Sequence, residues 1–265
     1  MITKNFLLIL VGLPSSGKTT IAENLKNLIK KKYKNFQVKI VDPDKIRNSI
    51  SPNKFNHQKE QLVREKSLND IRTGLNQGFI VISDDLNYYT SMRHDLKQIA
   101  EEKNLKYFIL HIATPLQICI EWNKKRGEPI PQEVIYKINE KFDLFNNYSW
   151  DNPIQTIDPS KFDDLKDIIN KVINVIERNL RIIPLDSYHM GEKTDKEQYH
   201  ETLDRITRNV IRKIIKNDNY HPFIKKISNI RKEFIKKNLK KVMTETQISE
   251  NFLKFIKRYL NSEFS

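Results

Sequence analysis

Residues 12–19 read GLPSSGKT, so Gly12, Gly17, Lys18 and Thr19 stand at the spacing of a loop that cradles phosphate groups. The loop directly follows the apolar run of residues 6–11. A buried strand that feeds a glycine loop, which in turn opens a helix, aims several backbone N–H groups at one anion. The expected occupant is a nucleoside triphosphate. Gly12 and Gly17, lacking a Cβ, let the backbone turn and approach phosphates closely. Lys18 would reach the β and γ phosphates as a point charge, and the Thr19 hydroxyl would ligate Mg²⁺. Pro14, Ser15, Ser16 and Thr20 complete the expected ATP-binding set.

Three further groups of residues suit transfer of that phosphate. The pair Asp84-Asp85 ends the apolar run of residues 79–84, where a carboxylate at a strand's C-terminal end would hold Mg²⁺ directly or through water. Asp84 is the first choice and Asp85 the second; adjacent acids also serve as turn or cap residues. Asp44 in the PDKIR stretch, residues 43–47, would accept the proton of an acceptor hydroxyl or hold that hydroxyl by hydrogen bond. Arg47, one helical turn on, would stabilise charge on the moving phosphoryl group, or simply pair with Asp44. Arg126, in WNKKRGEPIP at residues 122–131, sits where a lid would close over the nucleotide, with Lys124 and Lys125 nearby.

The elements that must position these residues alternate. Apolar runs of strand length at residues 6–11, 38–42, 79–84, 107–112 and 154–157 are separated by helical patterns at 18–32, 59–76, 89–103, 115–125, 131–143 and 162–178. That alternation predicts an α/β fold, a P-loop kinase-like parallel five-stranded sheet flanked by helices. Residues 1–180 form the expected catalytic domain, 181–196 a linker containing Pro184 and Gly191, and 197–265 a small all-helical C-terminal domain. From Asp195 onward 17 Lys and Arg stand against 9 Asp and Glu, a surplus of 8.

The whole chain of 265 residues carries a net charge of +14. Such a field favours polyanions, nucleic acid foremost, by counterion release and steering; an AT-rich coding sequence would also inflate Lys, Asn and Ile. The single cysteine, Cys119, excludes an internal disulfide framework and a Cys-based zinc cluster. A reducing cytoplasm is the expected setting. No apolar run has the length of a membrane span, and the six histidines, His189, His200 and His221 among them, show no metal-ligand spacing.

These residues together resemble the archaeal-type O-phosphoseryl-tRNA(Sec) kinase family, also called L-seryl-tRNA(Sec) kinase. The resemblance is carried by GLPSSGKT at 12–19, PDKIR at 43–47, DDLNYYTSMRHDL at 84–96, RGEPIP at 126–131, EKFD at 140–143 and Tyr148-Ser149-Trp150-Asp151. A fainter echo is IRKEFIKK at 230–237. The resemblance implies transfer of the ATP γ-phosphate to the seryl hydroxyl of seryl-tRNA(Sec), with Mg²⁺. Its functional positions fall on Gly17, Lys18, Thr19, Asp44, Arg47, Asp84 and Arg126. It also implies a tRNA grip by the C-terminal domain and a homodimer. One departure stands out: the family's R-x-x-x-R lid motif has Trp122 at its first arginine.

Asn87, Tyr88, Tyr89, Met92 and Arg93 would lie beside the acceptor site, where an amide, two aromatics and an arginine suit a terminal adenosine. The tyrosines equally suit a core. A second reading of the chain is a tRNA-stimulated regulatory P-loop ATPase of the Elongator-associated type. A third is a polynucleotide or small-metabolite kinase.

Overall fold

The computed structural model describes residues 2, 4–50, 59–145, 148–181, 195–214, 223–239 and 241–261. The chain divides into two compact units, Met1–Leu185 and Asp186–Ser265.

In the first unit the order is β1 (Leu7–Gly12), α1 (Lys18–Lys32), β2 (Val38–Val41), α2 (Pro43–Ile50), α3 (Glu60–Asn76), β3 (Ile80–Ser83), α4 (Thr90–Glu101), β4 (Tyr107–Ile112), α5 (Leu116–Lys125), α6 (Gln132–Glu140), β5 (Gln155–Ile157) and α7 (Lys166–Arg181). The five strands form one sheet in the order β2-β3-β1-β4-β5, and every pairing is parallel. This is the sheet read from the apolar runs.

All six residues of β1 are buried, because helices cover both faces of a parallel sheet. Alternation divides its side chains between two cores. Leu8 and Leu10 join Ile21, Leu25 and Ile29 of α1 and Ile169, Val172 and Ile173 of α7 on one face. Leu7, Ile9 and Val11 join Val63 and Ile71 of α3 and Leu96 and Ile99 of α4 on the other. The central strand is thus clamped from both sides, and its C-terminal end becomes a rigid platform. The neighbours of β1 are β3 and β4, so the chain's crossovers diverge at that end, the place where open α/β sheets present ligand sites.

Boundaries differ from the sequence reading by a few residues. α7 starts at Lys166, not at 162, because Asp164 accepts from the Lys166 backbone N–H at 2.9 Å and caps the helix there. α6 ends at Glu140, so Phe142 and Asp143 are free to turn inward. Of the expected linker, Arg181 closes α7 and Asp195 and Lys196 open the next helix; residues 182–194 lie outside the described ones. His189 and His221 do too.

The second unit is helical throughout its described residues: α8 (Asp195–Ile214), α9 (Ile224–Asn238) and α10 (Glu245–Asn261). Its core is built at helical spacing from Leu203, Ile206 and Val210, Ile227, Ile230 and Phe234, and Ile248, Phe252 and Ile256. Asp204, buried, accepts from Arg208 at 2.7 Å and from Arg231, tying α8 to α9.

Candidate active site

β1 delivers the phosphate loop. A Cβ at Gly12 would lie 2.6 Å from the Ile112 carbonyl oxygen, so any other residue would force β1 and β4 apart. Ser15 and Gly17 both adopt left-handed backbone, with φ of 59° and 91°, which rolls the loop over its own concavity; at Ser15 this is the kind of local strain found at functional sites. Ser16 is buried beneath, its carbonyl accepting from the Thr114 hydroxyl at 2.8 Å. Pro14 is buried, and Thr19 and Thr20 are exposed in the first turn of α1.

Lys18 is 8% exposed, and its Nζ donates to the Leu13 carbonyl at 2.6 Å and the Gly12 carbonyl at 3.1 Å. Burial pulls its ammonium down to about 8, against the opposing pull of Asp84 and then Asp85. Asp84, 6% exposed at the end of β3, is pushed up to about 6 by burial, against a hydrogen bond with Thr19 and the charge of Lys18. Its Oδ2 is buried with no hydrogen-bond partner.

A buried orphan carboxylate oxygen beside a threonine hydroxyl fits a hard divalent cation. Mg²⁺ takes one or two protein oxygens and fills its shell with water and substrate phosphates. Among the described residues, no group of three or more His, Cys, Asp or Glu side chains is placed to hold a metal. Asp85 points its interactions elsewhere: its Oδ1 accepts from the Leu86 N–H at 2.7 Å, and Arg64 lies 3.6 Å from its Oδ2.

Arg126, expected in a lid, donates to the Ser15 hydroxyl of the loop at 2.6 Å. Asn123, fully buried, accepts from the same hydroxyl at 3.3 Å and donates to the Ile130 carbonyl at 2.6 Å. It anchors the turn made by Gly127 and Glu128, both left-handed. Trp122 reaches over the last loop residue before α1: its ring lies 3.4 Å from where a Cβ on Gly17 would stand, and Pro159 lies 3.9 Å from the same point.

Asp44, expected to meet an acceptor hydroxyl, is exposed, with 81% of its side chain open to solvent. The cap of α2 is Asp42, which accepts from the Asp44 N–H at 2.9 Å, so the Asp44 carboxylate is released from capping. Arg47 bonds Asp44 and also forks onto Glu60 of α3 at 2.7 and 2.9 Å. Glu60 was invisible in the PDKIR motif, 13 residues away, and no local signal announces it.

Arg93 is not at the acceptor surface. It is completely buried in a two-pronged pair with Asp151, both bonds 2.6 Å, and also donates to the carbonyls of Asn87 and Asp143. Asn87 is buried too, donating to the Leu10 carbonyl at 2.8 Å. Tyr88 and Tyr89 lie half-buried against each other, ring centroids 4.1 Å apart.

A family model described as chromatin associated protein KTI12 matches residues 6–257 of this architecture. The chain belongs to the KTI12 family. The chain is 34% identical over 257 residues to the L-seryl-tRNA(Sec) kinase of Methanococcus maripaludis, covering 96% of this chain and 98% of that protein. The resemblance seen in the motifs therefore extends along almost the whole chain. Protein kti12 of Schizosaccharomyces pombe is 25% identical over 222 residues, 80% of this chain and 77% of its own.

Among solved structures, Chaetomium thermophilum Kti12 in complex with ADP-AlF3 matches 66% of this chain and 98% of its own at a TM-score of 0.56 and 21% identity. The APS kinase CysC of Mycobacterium tuberculosis, in complex with AMPPNP and APS, matches 66% and 99% at 0.50 and 16%. Both likenesses mark the KTI12-family chain as having the P-loop kinase fold. No helix among its described residues is long and apolar enough to cross a membrane.

Proposed function

We propose that this chain is an ATP-dependent kinase that phosphorylates the seryl hydroxyl of seryl-tRNA(Sec). The observation that carries the proposal is the end-to-end match to an L-seryl-tRNA(Sec) kinase, at 34% identity. The geometry agrees: one loop for a triphosphate, a buried lysine and carboxylate at its mouth, and an exposed Asp44 across from them.

In this reading the N–H groups of residues 15–19 and the Lys18 ammonium hold the phosphates. Thr19 and Asp84 hold Mg²⁺, which when bound neutralises charge building on the phosphate oxygens. Asp44 orients the acceptor hydroxyl and takes its proton, and the Asp44–Arg47–Glu60 chain fixes that carboxylate's position. Arg126 closes the lid over the phosphates and keeps water out. The second unit grips the tRNA.

The KTI12 match keeps a second reading open, the tRNA-stimulated regulatory ATPase without an amino-acid acceptor. γ-Labelled ATP, the purified chain and serylated tRNA(Sec), with deacylated tRNA as control, separate the two. Label in phosphoserine supports the kinase. Free phosphate alone, with both RNAs, supports the ATPase.

A further inference from the structure

At the end of α1 remote from the phosphate loop lies a second concavity of about 470 Å³. Lys31, Lys32, Lys34 and Arg181 line it, with Glu177 the one carboxylate. Glu177 engages Lys32 at 3.1 Å and Arg181 at 3.8 Å. Lys31 and Lys34 are exposed and have no acidic partner among the described residues. Tyr33 also lines the cavity, is 7% exposed, and has a buried hydroxyl with no hydrogen-bond partner.

Lysines in a last helical turn are commonly explained by the helix dipole. That accounts for Lys31 and Lys32 in α1 and for Arg181 in the last turn of α7, but not for Lys34, beyond the helix, nor for the meeting of the two helix ends at one hollow. Two elements far apart in sequence converge their cations on one hollow, leaving excess positive charge. An anion that accepts hydrogen bonds is the matching ligand.

We infer that this hollow, in the first unit, is a phosphodiester-binding site for the backbone of the substrate RNA, separate from the catalytic loop. The inference rests on the proposed kinase reading. Two features point to RNA as the occupant. Arg181 is the last residue of α7, where the chain leaves for the basic second unit. α1 itself runs from the phosphate loop to the hollow, and its 15 residues span about 22 Å, a distance that a folded RNA engaged at the loop readily exceeds. Phosphate contacts of this kind set orientation and carry no sequence information.

The test compares the full-length chain carrying both Lys31→Ala and Lys34→Ala with a control carrying Lys66→Ala and Lys103→Ala, lysines that are equally exposed and lie outside the hollow. Binding of serylated tRNA is measured from low to high salt. The paired variant is expected to bind roughly ten-fold more weakly, and its log K against log salt slope to flatten by about 2, one for each phosphate no longer neutralised. The control keeps both values, and ATP affinity is unchanged in all.

Retention of wild-type affinity and slope by the paired variant overturns this site while leaving the kinase reading intact. Failure of the wild-type chain to bind tRNA at all overturns that reading and this site with it. Loss of anionic-vesicle binding in the paired variant, with RNA affinity unchanged, also overturns the site.

Discussion

Asp84 is a carboxylate that stability alone would remove. Its folded-state value near 6, against 3.8 for an exposed aspartate, means that the folded chain holds this proton longer than the unfolded one. Stability is therefore greatest below about pH 4 for this group, declines as pH rises to about 6, and by pH 7 is lower by up to about 3 kcal/mol. Asp84→Asn keeps the shape and removes the charge. Thermal melts at pH 7 are expected to show a higher Tm, by about 2–4 °C for each kcal/mol recovered, with the slope between pH 4 and 6 flattened. Phosphoryl transfer should fall about 100-fold or more in the same protein. A lower Tm at pH 7 would contradict the assignment of Asp84 as a functional burden. The loop and Asp84 were legible because their spacing follows from local backbone geometry. Trp122 was legible only as a departure from R-x-x-x-R; that its ring sits over Gly17, far earlier in the chain, is a property of the folded lid. An indole so close to the loop is expected to stack on the nucleobase of a bound nucleotide. Trp122→Ala is expected to raise KM for ATP about ten-fold, the worth of one aromatic–base stack, with kcat changed far less; steady-state kinetics in ATP decide it.

At the scale of elements, the block 84–96 that made the family resemblance narrow turns out to be largely a brace. Asn87 fastens the loop after β3 to β1, the Thr90 N–H is capped by Asp143 at 3.0 Å, and Arg93 locks α4 onto Asp151. The motifs EKFD and Tyr148-Ser149-Trp150-Asp151, scattered in the chain, meet here around one guanidinium, which also lies 4.7 Å over the Phe145 ring. The letters marked these residues as special, but not which kind of special, because their partners are 50 to 77 positions away. Removing one member of such a buried pair strands the other charge without water. Asp151→Ala should cost about 3–5 kcal/mol in denaturant unfolding, while Arg93→Met combined with Asp151→Leu should recover part of that loss. Equal stability of Asp151→Ala and wild type would show that the pair braces nothing. The strands themselves were readable, since five buried runs between amphipathic helices admit few other architectures. The ends of α6 and α7 were not, because caps such as Asp164 compete with hydrophobic periodicity for the final turn.

At the scale of the whole molecule, the two units divide the chemistry from most of the charge surplus that the sequence places after Asp195. The first unit has its own two cores on either side of the sheet, and the second has a third built only from α8, α9 and α10. Such a division was visible in composition, because helical periodicity with basic outer faces begins where strand-length runs stop. Composition carries no information about which polyanion is bound, since phosphates answer to charge alone. The division nonetheless separates two kinetic quantities. Lys232 and Lys236 are exposed on α9, away from the core residues Ile230 and Phe234, so Lys232→Glu with Lys236→Glu changes the field of the second unit without touching its packing. If that unit supplies RNA affinity and the first supplies catalysis, the double variant raises KM for seryl-tRNA(Sec) about ten-fold or more and weakens its salt dependence. ATP affinity, and kcat at saturating RNA, stay near wild type, because neither lysine belongs to the loop or its carboxylates. A matched fall in kcat with KM unchanged would instead place the second unit in the chemical step and undo the division of labour.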